Sequence, residues 1–157
     1  LVPASAASPP GSIVLAPHRV VYDLTLAGAS GSRAVEGARG RIVYDFTGNA
    51  CEGYALKYRQ VTVLESSESG TRTSDLRTTT FEGGDGRSFR FRTENSLVGA
   101  DDKLVQGEAA RGGEGLTVSL RQPEPVRVTL PGDPIFPTDH LKRIIAAAKA
   151  DQRTLSL

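Results

Sequence analysis

The side chain with the most distinctive chemistry in this sequence is its single cysteine, Cys51. A thiol is activated as a nucleophile by neighbouring positive charge, whereas the adjacent Glu52 is negative. The sequence does not predict a reactive thiol here and leaves two interpretations open. Cys51 is either a small buried residue or, in an exported protein, one half of a disulfide whose second sulfur lies outside this stretch.

The two histidines, His18 and His140, are the natural candidates for a metal site or for proton transfer. They lie near opposite ends of the chain, and neither has a second ligand two to four residues away. Asp139 and His140 are adjacent in sequence, which is no evidence for a catalytic dyad. We expect two surface histidines and no bound metal.

The glycine-rich and acidic segments do not add a catalytic signature. The segments 83–86 and 112–115 lack the lysine and hydroxyl residue of a phosphate-binding loop and do not open helices, so they predict hairpin turns. Asp101 and Asp102 fit a solvated loop better than an acid–base pair. No nucleophile elbow is present. The sequence therefore predicts no enzyme and no cofactor.

Composition excludes further classes of protein. The 157 residues carry 19 basic and 18 acidic side chains, a net charge of +1, which gives no footprint for nucleic acid. No apolar run approaches the roughly 20 residues of a transmembrane helix. Methionine is absent, and Leu1 comes first. A processed N-terminus is one interpretation, since Ala4-Ser5-Ala6 has the form of a signal-peptidase site, and an ordinary flexible terminus is the second.

Apolar residues repeat with period two from Arg19 to Leu130, which predicts an antiparallel β-meander. About eight strands are expected, with turns every 10 to 15 residues. Residues 1–17 are rich in proline, alanine and serine and are expected to form a flexible leader before a single domain over 18–157. Gly37 and Gly40 predict a bulge or a bend in the second strand. A strand pattern returns at 154–157.

The period changes to that of a helix over about 139–150, with Thr138 as the expected N-cap. Leu141, Ile144, Ile145 and Ala148 fall on one face, which we expect to pack on the concave face of the sheet. Aromatic and aliphatic strand residues would lie beneath it and either fill a core or line a cavity for a lipid or another apolar ligand. The candidate lining consists of Tyr44, Phe46, Leu56, Phe89, Phe91, Leu141, Ile144 and Ile145.

Several segments resemble the periplasmic cell envelope integrity proteins called EipB. The similar segments are the first strand from Arg19 to Ala27, the hairpin from Gly40 to Gln60, the strands 74–82 and 88–91, and the helix 137–148. Their order and spacing carry the resemblance, which covers about Pro17 to Leu157.

The resemblance implies a curved, spiral sheet like an incompletely closed barrel, in an exported periplasmic protein with a signal peptide. It also implies a non-enzymatic role in envelope integrity and a periplasmic tetratricopeptide-repeat protein as partner. Members carry a disulfide whose first cysteine matches Cys51, while the second has no counterpart here. Since members are longer, the chain is expected to be an N-terminal half, truncated before the C-terminal half that would complete the spiral and hold the partner of Cys51.

Overall fold

The residues that the structure describes form one eight-stranded antiparallel sheet followed by one helix. A computed structural model describes residues 13–28, 35–113 and 115–156. Each strand pairs with its neighbour in sequence, so the sheet is a meander with the order β1 to β8. The predicted all-β class with a single helix is confirmed. The strands are β1 (His18–Thr25), β2 (Val35–Asn49), β3 (Gly53–Ser66), β4 (Gly70–Glu82), β5 (Ser88–Leu97), β6 (Lys103–Gly112), β7 (Gly115–Gln122) and β8 (Val126–Leu130).

The pairing register gives the two faces of the sheet different chemistry. Directly opposed residues of an antiparallel pair share a face, so Phe46, Leu56 and Thr80 lie side by side across β2, β3 and β4. We call this the helix-bearing face. The other face, here the outer face, carries a high density of arginines. Its arginines include Arg41, Arg59, Arg77, Arg90 and Arg127.

The predicted bend in β2 is confirmed by its glycines. The pairing of β2 with β3 shifts register between Val35 and Gly37. At Gly40 a Cβ atom would lie 2.5 Å from the carbonyl oxygen of Val61, so only glycine allows the two strands to approach this closely. The predicted turn between the first two strands falls mostly on residues 29–34, outside the described residues.

The helix α1 (Pro137–Lys149) begins two residues earlier than expected, and the predicted N-cap is wrong. Phe136 holds the cap position with extended backbone and makes no side-chain capping bond. Thr138 instead lies within the first turn and is only 7% exposed. Pro137 is suited to the first helical position because its fixed φ is helical and it has no N–H to leave unsatisfied.

Two predictions about the chain ends need correction. Residues 1–12 lie outside the described residues, but Leu15 is 8% exposed and packs with Phe46 and Tyr54, while Ile13 lies against the same cluster. The flexible leader predicted over 1–17 is therefore too long, because residues 13 and 15 contribute apolar area to the core. No strand forms over 154–156.

The core is concentrated where α1 and the segment before it cover the sheet. One cluster is built on Leu15, Phe46 and Tyr54, and the second on Ala109, Leu116 and Phe136. Away from these clusters the helix-bearing face is open. Apolar side chains exposed there include Tyr22 (53%), Leu64 (41%), Val105 (39%) and Val128 (45%).

Candidate functional site

The residues predicted to line an apolar cavity do gather in part under α1. Tyr44, Phe46, Leu56 and Phe89 from the sheet surround a small void together with Leu141 from the helix. The aromatic rings form a stacked row: the ring centres of Tyr44 and Phe46 are 6.4 Å apart, and those of Phe46 and Tyr54 are 5.7 Å apart. Burial raises the pKa of Tyr44, and the nearby Tyr22 adds a smaller effect in the same direction.

The void itself is small. Its volume is about 50 Å³, whereas pockets for small-molecule ligands typically measure about 300–1,000 Å³. A space of this size has room for a water molecule or two but not for an acyl chain. The side chains under α1 therefore act here as packed core.

Three further members of the predicted lining lie elsewhere. Phe91 is on the same sheet face as Phe89, with ring centres 5.8 Å apart, but it does not reach the void. Ile145 packs against the core cluster from the helix side. Ile144 is 44% exposed, so its predicted packing is wrong. Consecutive helical residues are about 100° apart around the axis, and the helix meets the sheet through the side of Thr138, Leu141 and Ile145.

The sequence analysis missed Glu82, the most buried charged side chain among the described residues. It is 4% exposed, and its Oε2 atom accepts the backbone N–H of Thr138 at 2.8 Å. This carboxylate, 56 residues away in sequence, satisfies a first-turn N–H that no neighbouring side chain caps. The sequence does hold a signal for it, because Glu82 continues the alternation of Thr78 and Thr80 and so falls on the helix-bearing face of β4.

A polar cleft of about 320 Å³ lies beside the helix N-terminus, between α1 and the β4–β5 turn. Its cations are already engaged. Arg111 pairs with Asp133 and donates to the carbonyl oxygen of Pro134 at 2.7 Å, and its guanidinium lies over the Phe136 ring. Lys142 lies 4.7 Å from the centre of the Tyr54 ring. These contacts fasten α1 and the segment before it to the sheet.

Cys51 lies in the short turn between β2 and β3, where it is exposed and not in a disulfide. The side chain of Asn49 organises this turn, because its Oδ1 atom accepts the backbone N–H groups of Cys51 at 2.8 Å and Glu52 at 3.0 Å. The interpretation of Cys51 as a buried core residue is wrong, because the turn projects from the sheet. The disulfide implied by the family resemblance stays a prediction.

The two histidines lie in different surroundings. His18 donates through Nδ1 to the carbonyl oxygen of Ala16 at 2.8 Å and stacks on Tyr44, with ring centres 5.4 Å apart. His140 is exposed in the first turn of α1. Within 13–28, 35–113 and 115–156, no three His, Cys, Asp or Glu side chains are grouped to hold a metal ion.

The outer face carries a ladder of cross-strand ion pairs. Asp75 receives two hydrogen bonds from Arg59, at 2.8 and 3.0 Å, and one from Arg77 at 2.8 Å. The bonds from Arg59 are the main reason why the pKa of Asp75 is lowered; desolvation is the next largest effect and opposes them, and the bond from Arg77 adds to the lowering. A matching bond from Arg41 to Asp23, 2.7 Å long, joins β2 to β1.

Nothing in the described part of the chain is a helix long and apolar enough to cross a membrane.

Comparisons with known proteins agree on one family. The model of the family described as EipB-like matches residues 10–157. The cell envelope integrity protein EipB of Brucella abortus is 39% identical over 150 residues, which are 96% of this chain and 53% of that protein. A crystal structure of a β-barrel-like protein of domain of unknown function DUF1849, also from Brucella abortus, is 40% identical. It matches with a TM-score of 0.82 over 88% of this chain and 58% of that one. The chain thus spans little more than half the length of these relatives.

Proposed function

The chain belongs to the EipB-like family, and from this we propose that it is a non-enzymatic periplasmic protein that supports cell envelope integrity through protein partners. The observation that carries the proposal is the 39% identity to a protein named for envelope integrity, sustained over nearly the whole of this chain. Because the chain covers about half of that relative, the role of the whole protein is transferred as a proposal only.

The structure supports a binding role more than a catalytic one. The polar cleft beside α1 has its arginines and its lysine held by Asp133, Asp139 and the Tyr54 ring, which is the arrangement of a structural joint. His18 is engaged with the carbonyl oxygen of Ala16 and with the Tyr44 ring, and Cys51 lies in a solvent-exposed turn. Both faces of the sheet instead expose side chains that a binding partner could contact.

Deletion of the gene in the source organism tests the proposal. We expect the deletion strain to become sensitive to detergents and to envelope-directed antibiotics, and complementation to restore resistance. A variant carrying Ile145→Asp, which disrupts the helix–sheet contact, should fail to complement. The matched variant Ile144→Asp, changed at an exposed neighbour, should complement fully. Unchanged sensitivity of the deletion strain would contradict the proposed role.

Location and partner can be tested in the same strain. Fusion to a reporter enzyme that is active only after export should give activity if the protein is periplasmic. Crosslinking in living cells followed by mass spectrometry should recover a tetratricopeptide-repeat protein, the partner that the family resemblance implies. Recovery of cytoplasmic proteins alone would contradict both expectations.

One observation favours a second candidate function, that of a carrier for an apolar ligand. The void under α1 is too small, but the open part of the helix-bearing face exposes Tyr22, Leu64, Val105 and Val128. These side chains lie on the same sheet face, on β1, β3, β6 and β8, where an apolar ligand could cover them. Native mass spectrometry of the protein purified from its periplasm should then show a co-purifying lipid. A mass equal to that of the polypeptide alone would reject the carrier function.

A further inference from the structure

A groove on the outer face has the features of a recognition site. Two adjoining depressions, of about 340 and 390 Å³, cross β4 to β8 and share Phe81, Arg90 and Glu108 as lining. They adjoin along this shared row, and we call the two depressions together the arginine groove. Four arginines and a single glutamate line it. The arginines are Arg90, Arg92, Arg121 and Arg127.

The register places the key side chains of the arginine groove in one row across the sheet. Phe81 is opposite Arg90, Arg90 is opposite Glu108, and the row continues through Ser119 to Arg127. Neighbouring strands are about 4.8 Å apart, so Arg90 and Arg127, three strands apart, are separated by about 14 Å at the backbone.

Arg90 is held in place without using its hydrogen-bond donors. Its guanidinium carbon lies over the Phe81 ring, 4.8 Å from the ring centre, within the range of a cation–π contact. The N–H groups lie in the plane of the guanidinium and remain free, since Arg90 makes no hydrogen bond or ion pair with any described residue. A guanidinium that is held over an aromatic ring and keeps its N–H donors free is prepared for a two-pronged bond to a carboxylate.

The other arginines at the far end of the groove are also weakly committed. Arg127 has one long contact, 3.4 Å from its Nε atom to the hydroxyl of Ser119. Arg121 pairs with Glu108 at 3.3 Å, and both side chains are about half exposed or more (65% and 47%), so this pair exchanges readily with another carboxylate.

We propose that the arginine groove binds an acidic, extended segment of a partner protein. In an extended peptide, residues four positions apart point to the same side and are about 13 Å apart, which matches the separation of Arg90 and Arg127. Two carboxylates at this spacing would reach both arginines. The inference rests on the proposed function, which requires a protein partner, and it states that this partner presents acidic residues.

The features of the groove favour a peptide over other anions. Glu108 lies between Arg90 and Arg127 in the row, and Glu94 is bound to Arg92. Both carboxylates repel the evenly spaced charges of a nucleic acid, whereas a peptide with two carboxylates four residues apart can place uncharged residues beside Glu108. Phe81 is half-buried in the floor and does not protrude, so it cannot insert into a lipid bilayer. A narrow acidic peptide can reach the guanidinium edges that a flat membrane surface cannot.

A binding experiment with the purified protein and synthetic peptides tests the inference. The probe is a fluorescent peptide of about seven residues with two glutamates four positions apart, and the control probe replaces both by glutamine. Fluorescence anisotropy should show binding of the first probe only. The double variant R90Q/R127Q should weaken binding about tenfold or more, because it removes both charge-assisted contacts. The matched variant R19Q/R39Q, which removes two outer-face charges outside the groove, should change binding less than about twofold.

A third variant isolates the role of the aromatic platform. Phe81→Leu keeps every charge but removes the ring that holds the Arg90 guanidinium, so we expect binding to weaken about threefold. Equal weakening by R90Q/R127Q and R19Q/R39Q would mean general electrostatic attraction and would overturn the site. So would the absence of peptide binding, or tighter groove-dependent binding of anionic phospholipid vesicles or of an oligonucleotide. Each failure would leave the deletion phenotype as an independent test of the envelope role.

Discussion

Replacement of Glu82 tests how the helix is fastened to the sheet. The carboxylate is 4% exposed and bonds the Thr138 N–H at 2.8 Å in a helix that has no other side-chain cap. Removal in Glu82→Ala leaves a buried N–H without a partner. A hydrogen bond to a charged group contributes about 1.5–3 kcal/mol. A negative charge at a helix N-terminus contributes about 0.3–1 kcal/mol, part of it through the same bond.

We therefore expect Glu82→Ala to lower the free energy of unfolding by about 2–3 kcal/mol. For a domain of this size the melting temperature should fall by about 4–12 °C. Glu82→Gln keeps an oxygen acceptor but loses the charge, so its loss should be about 1 kcal/mol. Urea denaturation followed by far-ultraviolet circular dichroism measures these differences. Hydrogen exchange at the Thr138 amide should become faster in Glu82→Ala.

The matched control is Glu108→Ala, which removes an acidic residue from the outer face. Glu108 is bonded only to an exposed arginine at 3.3 Å, so its loss should cost less than about 1 kcal/mol. If Glu82→Ala is no more destabilising than Glu108→Ala, or if amide exchange at Thr138 is unchanged, the carboxylate does not secure the helix and the reasoning fails.

Three other predictions follow from the geometry. Ile145→Asp should destabilise the protein by about 3 kcal/mol or more in urea denaturation, because it buries an unpaired charge, whereas Ile144→Asp at an exposed position should cost less than about 1 kcal/mol; equal costs would refute this docking of the helix. The pKa of Asp75 is lowered in the folded state by Arg59, so its contribution to stability is present above the unfolded value of about 4 and is lost as the pH falls through the lower folded value. The loss should be less than about 1 kcal/mol, because the Arg59 side chain is half exposed to solvent. Asp75→Asn should abolish it in urea midpoints measured between pH 6 and pH 2, and a pH profile unchanged by the substitution would contradict this. Cys51 should react with a thiol reagent almost as fast in the native protein as in urea, since its turn is exposed, and a tenfold slower native reaction would show that it is shielded.

Local periodicity was enough to predict the sheet. The alternation of apolar and polar residues determines which side chains share a face, and in a meander each strand pairs with the next, so order and register follow together. The predicted alternation ends at Leu130, which is the last residue of the last strand. Gly37 was recognisable as a bulge because a glycine inside a strand often marks an irregularity in the pairing or a close approach of two backbones.

The contacts that orient the helix were not predictable in the same way. The apolar stripe through Leu141, Ile144 and Ile145 fits a helical period, but more than one side of that stripe could face the sheet. The choice depends on Glu82, 56 residues before Thr138, and on Leu15, which packs into the same cluster from a segment with no periodic pattern. Contacts between residues so distant in sequence leave no signal at the local level.

The distribution of stability over the two faces bears on where recognition can occur. The buried apolar clusters, the Glu82 cap and the stacked rings all lie on the helix-bearing face, so substitutions there change folding as well as any binding. The outer face is held by exposed ion pairs, each of which contributes little to stability. Arginines such as Arg90 and Arg127 are therefore not needed to keep the sheet folded. A loss of peptide binding in R90Q/R127Q with an unchanged urea midpoint would separate recognition from stability, which no substitution under α1 can do.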